Sequence, residues 1–390
     1  MNILKRVTIS ANRFARGVGR RLLLLRPKRS PFRRFPGLLR RTSIRQESLS
    51  RPAIARPSLR GRWKLTNYAQ SKIQARPATR LNYGLYLPHF VDASPVPLVV
   101  MLHGCQQTAK EFAQGTRMNI LADQEGFAVL YPQQSKSANA YRCWNWYEEL
   151  AQAGAGEAAL IVATIAQVSA QHRIDPSRVY VVGLSAGASM AMILAIHYPH
   201  LIAAVGLHSG VVFGAANTPM AGLGFMRRGS LEAPENAVQS AIGGSSVLGM
   251  PAVLIHGDRD HVVHPVNLEQ LVTQFKVLNP SISNSMPALS SVSHVAPDGQ
   301  HDILQRHDYL ADEKSIVRVY RIPDLEHAWS GGDGTSPFHS GEGPDASELM
   351  WEFLEKHRRR ADVDQSQDGE RRQPKPVAAA TSEEHDSAIV

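Results

Sequence analysis

The stretch Arg178–Tyr198, RVYVVGLSAGASMAMILAIHY, holds the strongest structural signal in this sequence. Its first part is apolar on both faces, as in a strand buried on both sides, and its last part has the residues of a buried helix. Between them lies Gly183-Leu184-Ser185-Ala186-Gly187, which fits G-x-S-x-G at a strand–helix junction. In that context the serine sits on a sharp, strained turn with its hydroxyl exposed. The stretch therefore predicts that Ser185 is a nucleophile.

Other apolar runs on either side of this stretch repeat the strand pattern. They are Leu98–Leu102, Phe127–Tyr131, Ala252–Ile255 and Val317–Ile322. Helical patterns lie between and after them, at Glu157–Gln171, Asn267–Val277 and Ser347–His357. Buried strands that alternate with helices predict an α/β fold with a mostly parallel sheet and helices on both faces. The alternating segment Leu81–Pro88 is typical of an antiparallel edge strand.

A serine hydroxyl needs a base, and the base needs an acceptor that orients it. With this type of turn, the chain order is serine, acid, histidine. Asp258 and Asp260 both follow a buried strand, and we prefer Asp260 because it lies on the far side of the turn. His327 follows the strand Val317–Ile322 at loop distance, which makes it the preferred base among sixteen histidines.

Two backbone N–H groups are needed to bind the oxyanion of a tetrahedral intermediate. We expect one from Ala186, directly after the nucleophile, and one from Cys105, in the loop after Leu98–Leu102. Cys105 and Cys143 are the two cysteines, and they form either a disulfide or two buried thiols. Three aromatic residues are candidates for substrate contact, with core packing as the alternative: Trp144, Trp146 and Trp329.

The charge of the chain is unevenly distributed. The net charge is +9, but residues 1–64 carry 19 Lys and Arg against one acid, Glu47. We expect residues 1–74 to be a largely disordered basic arm, 75–356 the catalytic domain, and 357–390 a disordered polar tail. The mildly acidic body argues against nucleic-acid binding by the catalytic domain. The arm is either a solvated leader without a specific partner or a segment that makes weak contact with anionic surfaces. The oligomeric state cannot be read from the sequence.

Five ordered motifs, in about residues 80–356, resemble the poly(3-hydroxybutyrate) depolymerase family of esterases. They are Leu102-His103-Gly104-Cys105-Gln106-Gln107, Cys143-Trp144-Asn145-Trp146, Gly183–Gly187, His256-Gly257-Asp258-Arg259-Asp260 and His327–Gly332. The resemblance implies an α/β-hydrolase fold and hydrolysis of short-chain hydroxyalkanoate esters. It implies that Ser185, Asp260 and His327 act together, and that Cys105 lies near the oxyanion hole in a disulfide.

The sequence therefore predicts a serine esterase that works through an acyl-enzyme and needs no metal or organic cofactor. Its substrate is an ester, either polymeric or oligomeric. Esterases that act on feruloyl or acetyl groups of plant polysaccharide share the scaffold and remain an alternative. A more distant alternative is a non-catalytic binding protein whose basic arm contacts nucleic acid or lipid. The resemblance favours export, whereas we find no secretory signal peptide pattern, which favours the cytoplasm.

Overall fold

A computed structural model describes residues 59–69, 80–89, 94–214, 216, 218–244, 248–295 and 301–359. Most of the basic arm and all of the tail from residue 360 onward lie outside these residues. Within the described part of the chain, every helix is too short or too polar to cross a bilayer.

One mixed sheet is formed by the ten strands of the described residues. These are β1 (Arg62–Ala69), β2 (Arg80–Leu87), β3 (Val96–Leu102), β4 (Ala128–Gln133), β5 (Ile174–Leu184), β6 (Ala204–His208), β7 (Ala252–Gly257), β8 (Ala288–Val295), β9 (His301–Ala311) and β10 (Lys314–Ile322). Their order is β1-β2-β4-β3-β5-β6-β7-β10-β9-β8. The six central strands, from β4 to β10, are parallel, and antiparallel strands flank them on both sides. The prediction of a mostly parallel sheet is confirmed.

Nine α-helices of the described residues cover the sheet. They are α1 (Ala109–Thr116), α2 (Met118–Glu125), α3 (Glu149–Gln152), α4 (Glu157–Gln171), α5 (Ala186–His197), α6 (Pro219–Arg228), α7 (Pro234–Ile242), α8 (Val266–Leu278) and α9 (Ala346–Leu354). Alternate residues of β3 pack into two different cores. Leu98 and Val100 pack in the core that contains α4, α5 and α8, and Val99 and Met101 pack in the core that contains α1, α2 and α9. Helices therefore cover both faces, which is why the central strands are apolar throughout.

Strand β1 corrects the amino-terminal boundary of the folded domain. It lies within residues 1–74, the expected arm, but pairs along its whole length with β2. The ring of Trp63 packs against that of Tyr131, at 5.4 Å between centroids. Strand β2 is antiparallel as expected, but β1 covers its outer side, so it is not an edge strand. The high density of arginine in the arm obscured a short alternating pattern around Trp63.

The carboxyl-terminal boundary of the folded domain also lies further along the chain than residue 356, the predicted end. His357, expected to begin the disordered tail, is only 3% exposed, and its backbone oxygen accepts a hydrogen bond from the Tyr180 hydroxyl at 2.8 Å. Arg359 N–H donates to the Ser177 oxygen at 2.9 Å. The segment after α9 therefore belongs to the folded domain at least as far as Arg359.

Candidate active site

Ser185 occupies the turn between β5 and α5. Its backbone has φ 56° and ψ −118°, a conformation that L residues rarely adopt and that costs on the order of 1–3 kcal/mol. The Ser185 N–H donates to the backbone oxygen of His208 at 2.9 Å, which fixes the turn to the neighbouring strand β6. Ser185 is 7% exposed. This is the strained strand–helix turn that the sequence predicts.

The two glycines of the motif are required by close packing around this turn. An added Cβ on Gly183 would overlap the backbone of Gly187, and one on Gly187 would overlap the carbonyl of Leu102 at the end of β3. Only residues without a side chain let β5, α5 and β3 approach this closely. The turn therefore lies directly beside the loop that follows β3.

Asp260 and His327 are joined by a hydrogen bond. His327 Nδ1 lies 2.7 Å from Asp260 Oδ2, and the carboxylate is buried. Asp260 Oδ1 accepts from the N–H groups of Val262 and Val263 at 2.9 and 2.8 Å. Burial alone would raise the pKa of Asp260, but the hydrogen bond and charge of His327 and the other donors hold it below its ordinary value. Asp258, the alternative acid, is exposed.

The loops that carry these two side chains meet because β7 and β10 are parallel neighbours. Asp258 N–H donates to the Ile322 oxygen at 3.1 Å, and Arg259 N–H donates to the Leu325 oxygen at 3.2 Å. An ion pair between Arg259 and Asp324 closes the outer side of the same junction. The carboxyl ends of adjacent strands thus place the acid against the base.

The second hydrogen bond of the expected triad, between Ser185 and His327, differs from the one between His327 and Asp260. Among the described residues, the side-chain hydrogen bonds do not include one between Ser185 Oγ and His327 Nε2. The structure thus brings Asp260 and His327 together and places Ser185 at the same edge of the sheet, since β5, β6, β7 and β10 run parallel. Such bonds are often long in enzymes without substrate and shorten in the complex.

The loop after β3 leaves one amide without a partner. Gly104 N–H donates to the Gln107 side chain at 2.8 Å, and Gln106 N–H donates to the Tyr141 oxygen at 2.6 Å. Within the described residues, Cys105 N–H makes no hydrogen bond, and neither does Ala186 N–H at the start of α5. An added Cβ on Gly104 would lie 3.6 Å from the Ser185 Cβ, so this loop borders the serine. Ala186 directly follows Ser185, and Cys105 lies in the loop that borders it. The assignment of these two N–H groups to an oxyanion hole stays a prediction.

A disulfide and a polar network hold this loop in place. Cys105 is bonded to Cys143, so the disulfide alternative is the one present. His103 accepts from Gln134 N–H at Nε2, 3.1 Å away. Its Nδ1 must then carry the proton, and it donates to the Gly104 oxygen at 2.8 Å. Burial lowers the pKa of His103 to about 4, so the ring stays neutral. His103 is therefore a structural residue here.

Glu157 is a site residue that the sequence did not reveal. Its half-buried carboxylate accepts hydrogen bonds from Gln134 Nε2 at 2.6 Å, from Asn145 Nδ2 at 2.7 Å and from Asn145 N–H at 2.8 Å. Gln134 also donates to the Cys143 oxygen at 3.2 Å. The first turn of α4 thereby fixes the segment bonded to Cys105. A helix-initiating glutamate is too common a pattern to have marked this role.

The candidate aromatic residues for substrate contact are buried. Trp144 and Trp329 are 0% exposed and Trp146 is 5% exposed. Trp144 packs beside His103, Trp146 packs edge-to-face against Tyr147, and Trp329 stacks on His208. We therefore assign these three rings to packing around the site and give them no substrate contact.

His256 is a second residue that the sequence did not single out for a role. Its Nε2 donates to the Val263 oxygen at 2.8 Å and lies 3.5 Å from Asp260 Oδ2. Burial lowers its pKa, which keeps the ring neutral. Because it lies only four residues from Asp260 in the sequence, His256 is a poor candidate for the base.

Comparisons with known proteins identify the family of this chain. The family model described as Esterase PHB depolymerase matches residues 81–289, which is more than half of the chain. The chain belongs to the esterase PHB depolymerase family. The match includes Ser185 and Asp260 and ends before His327.

Relatives of this esterase-family chain carry several names. Poly(3-hydroxyalkanoate) depolymerase C of Paucimonas lemoignei is 38% identical over 250 residues, which cover 63% of this chain and 58% of that protein. Feruloyl esterase B of Neurospora crassa is 31% identical over 227 residues, covering 55% of this chain and 76% of that protein. This chain thus matches less than two thirds of the depolymerase. The acetyl xylan esterase from Aspergillus awamori superposes with a TM-score of 0.56 at 19% identity, covering 74% of this chain and 99% of that one. That structure supports the α/β-hydrolase fold.

Proposed function

We propose that this protein is a serine esterase that hydrolyses carboxylic esters through an acyl-enzyme. The observation that carries the proposal is the 2.7 Å hydrogen bond from His327 to buried Asp260, at the sheet edge where Ser185 occupies its strained turn. Family membership supports the same class of reaction.

In this mechanism His327 Nε2 takes the proton of the Ser185 hydroxyl while the oxygen attacks the ester carbonyl. Asp260 holds the Nδ1–H tautomer and stabilises the imidazolium that forms. The N–H groups of Cys105 and Ala186 bind the oxyanion. His327 then protonates the departing alcohol, and water, activated by the same histidine, releases the acid from Ser185.

For the substrate we propose short-chain hydroxyalkanoate esters, either poly(3-hydroxybutyrate) or its oligomers. The depolymerase relative, at 38% identity, supports this choice. The second candidate is an esterase of feruloyl or acetyl groups on plant polysaccharide, which the feruloyl esterase and acetylxylan esterase relatives support. All of these esters would undergo the same acyl transfer.

Replacement of the nucleophile tests the reaction class. We expect Ser185→Ala to lower kcat on a p-nitrophenyl short-chain ester by roughly 10⁵–10⁶, the scale of measured nucleophile deletions in other serine hydrolases. Circular dichroism should show an unchanged fold. Activity within tenfold of the unaltered protein would rule out Ser185 as the nucleophile.

A substrate panel distinguishes the two candidates. It should compare kcat/KM for hydroxybutyrate oligomers, poly(3-hydroxybutyrate) film, methyl ferulate and acetylated xylan. The proposal requires the highest value for the hydroxybutyrate esters. A higher kcat/KM for ferulate or acetylxylan would reject the hydroxyalkanoate substrate and favour the second candidate. The proposed acyl-enzyme mechanism would be unaffected.

A further inference from the structure

His208, the last residue of β6, contacts the turn of Ser185 and the segment that follows His327, and it has no role in the mechanism above. It is fully buried. Its backbone oxygen accepts the N–H of Ser185 at 2.9 Å, which anchors the turn of the nucleophile. The main chain of His208 thus anchors the nucleophile turn, and its side-chain ring is free to contact a different segment.

The ring of His208 contacts the loop that carries His327. Ser330 N–H donates to His208 Nε2 at 3.3 Å, and the ring stacks on Trp329 with centroids 5.2 Å apart and planes at 27°. These two partners follow His327 by two and three residues. We call residues 327–330 the base loop. The His208 ring therefore joins the base loop to the strand that anchors the Ser185 turn.

The protonation state of His208 follows from its partners. A backbone amide can only donate, so Nε2 must be unprotonated to accept from Ser330. The single proton of the neutral ring then lies on Nδ1, which can donate to Ser209 Oγ at 3.2 Å. Burial lowers the pKa of His208 to about 3, so the ring stays neutral at neutral pH and its hydrogen bonds select this tautomer.

We propose that His208 is a positioning residue that holds the base loop in register with the nucleophile turn through the acceptor at Nε2. The inference rests on the esterase function proposed above. His208 contacts no reacting atom, and its effect is transmitted by Ser330 and Trp329 to His327. Because Ser185 and His327 lie on different segments of the chain, their separation depends on how firmly these two segments are joined.

Two substitutions separate the acceptor from the ring. His208→Gln places an amide oxygen near the position of Nε2, so it keeps the acceptor, whereas His208→Phe keeps an aromatic ring against Trp329 but leaves Ser330 N–H unpaired. We expect His208→Phe to lower kcat by about 10- to 100-fold with KM changed less than about twofold, because misplacement of a catalytic group affects the reacting geometry. His208→Gln should retain kcat within about threefold, because a neutral acceptor is restored.

A remote variant controls for simple loss of stability. Phe127 is fully buried at the amino end of β4 and stacks on Trp351 with centroids 4.1 Å apart, far along the chain from the base loop. Phe127→Leu should lower Tm while leaving kcat unchanged. If His208→Phe and Phe127→Leu lose activity only in proportion to Tm, or if His208→Gln is as impaired as His208→Phe, the positioning role is wrong.

The tautomer can be read in the unaltered protein, even if His208→Phe does not fold. In protein labelled with ¹⁵N-histidine, the His208 signals are those missing from the His208→Gln spectrum. We expect a protonated Nδ1 and an unprotonated Nε2 from pH 6 to 8, and a protonated Nε2 would overturn the proposal. Full activity of His208→Phe in a protein that Ser185→Ala inactivates would refute this inference alone, whereas an inactive unaltered protein would refute the esterase function.

Discussion

A carboxylate that orients a histidine must be held in one geometry and must also stay charged. Asp260 meets both conditions because one oxygen accepts two backbone N–H groups while the other faces His327. The sequence narrowed the choice to Asp258 and Asp260 from their place after a strand. It could not settle which side chain turns inward, since that depends on the path of the turn around Val262.

Replacement of each aspartate by asparagine tests this assignment. In Asp260→Asn the amide can stabilise the wrong tautomer of His327, with the proton on Nε2, so that the ring cannot accept the Ser185 proton. We expect kcat to fall by about 10⁴, the size of the corresponding effect in a serine protease. The matched control is Asp258→Asn, which changes an exposed side chain in the same loop. Equal losses for the two variants would contradict the assignment.

At the scale of elements, the sequence predicted the strands and helices that carry the site residues. It did not predict the contacts that fix the loops between them. Strand β5 and helix α5 follow from an apolar run, a small-residue turn and a second apolar run. The role of Glu157 did not follow, because its three donor groups belong to two residues, Gln134 and Asn145, that lie far from it in the sequence on either side of Cys143. Local periodicity carries no information about such contacts. The sequence pattern likewise placed Trp144 and Trp329 in loops but could not predict whether their rings are buried.

The glutamate network can be tested by a pair of isosteric substitutions. Both carboxylate oxygens of Glu157 accept N–H groups, so Glu157→Gln must turn an NH₂ group towards a donor. We expect a loss of about 1–3 kcal/mol in the free energy of unfolding, the cost of leaving a buried polar group unsatisfied. Urea denaturation measures it. Glu148→Gln, an exposed change nine residues earlier, should cost less than about 0.5 kcal/mol, and a similar cost for both would show that the network is not stabilising.

Across the whole molecule, several buried histidines make the fold sensitive to acid. Burial lowers the pKa of His103 to about 4 and that of His208 to about 3. Burial, with the nearby charges of Lys314 and Arg318, lowers that of His357 to about 3. As the pH falls below about 6.5, these histidines become protonated in the unfolded chain before they do in the folded protein. The free energy of unfolding therefore decreases until the pH reaches the lowered pKa values of the folded state. Asp345, whose pKa burial raises to about 6, acts in the opposite direction.

The contribution of one histidine can be isolated by difference. The free energy of unfolding of the unaltered protein should fall between pH 7 and pH 5. His357→Gln, which does not titrate, should reduce that dependence by up to about 1.4 kcal/mol per pH unit. Urea midpoints at pH 7, 6 and 5 provide the measurement. His261→Gln, a change at an exposed ring, is the control, and an identical slope in all three proteins would exclude burial of a neutral ring as the cause.

The disulfide between Cys105 and Cys143 makes the covalent structure of a purified sample depend on the reducing agents used. In a sample prepared with dithiothreitol the disulfide can be reduced. The loop that contains Cys105 is then no longer covalently joined to the segment around Cys143. Ellman's reagent should find no free thiol in the urea-denatured native material, because these are the two cysteines of the chain. Rates from reduced and oxidised batches should therefore not be pooled.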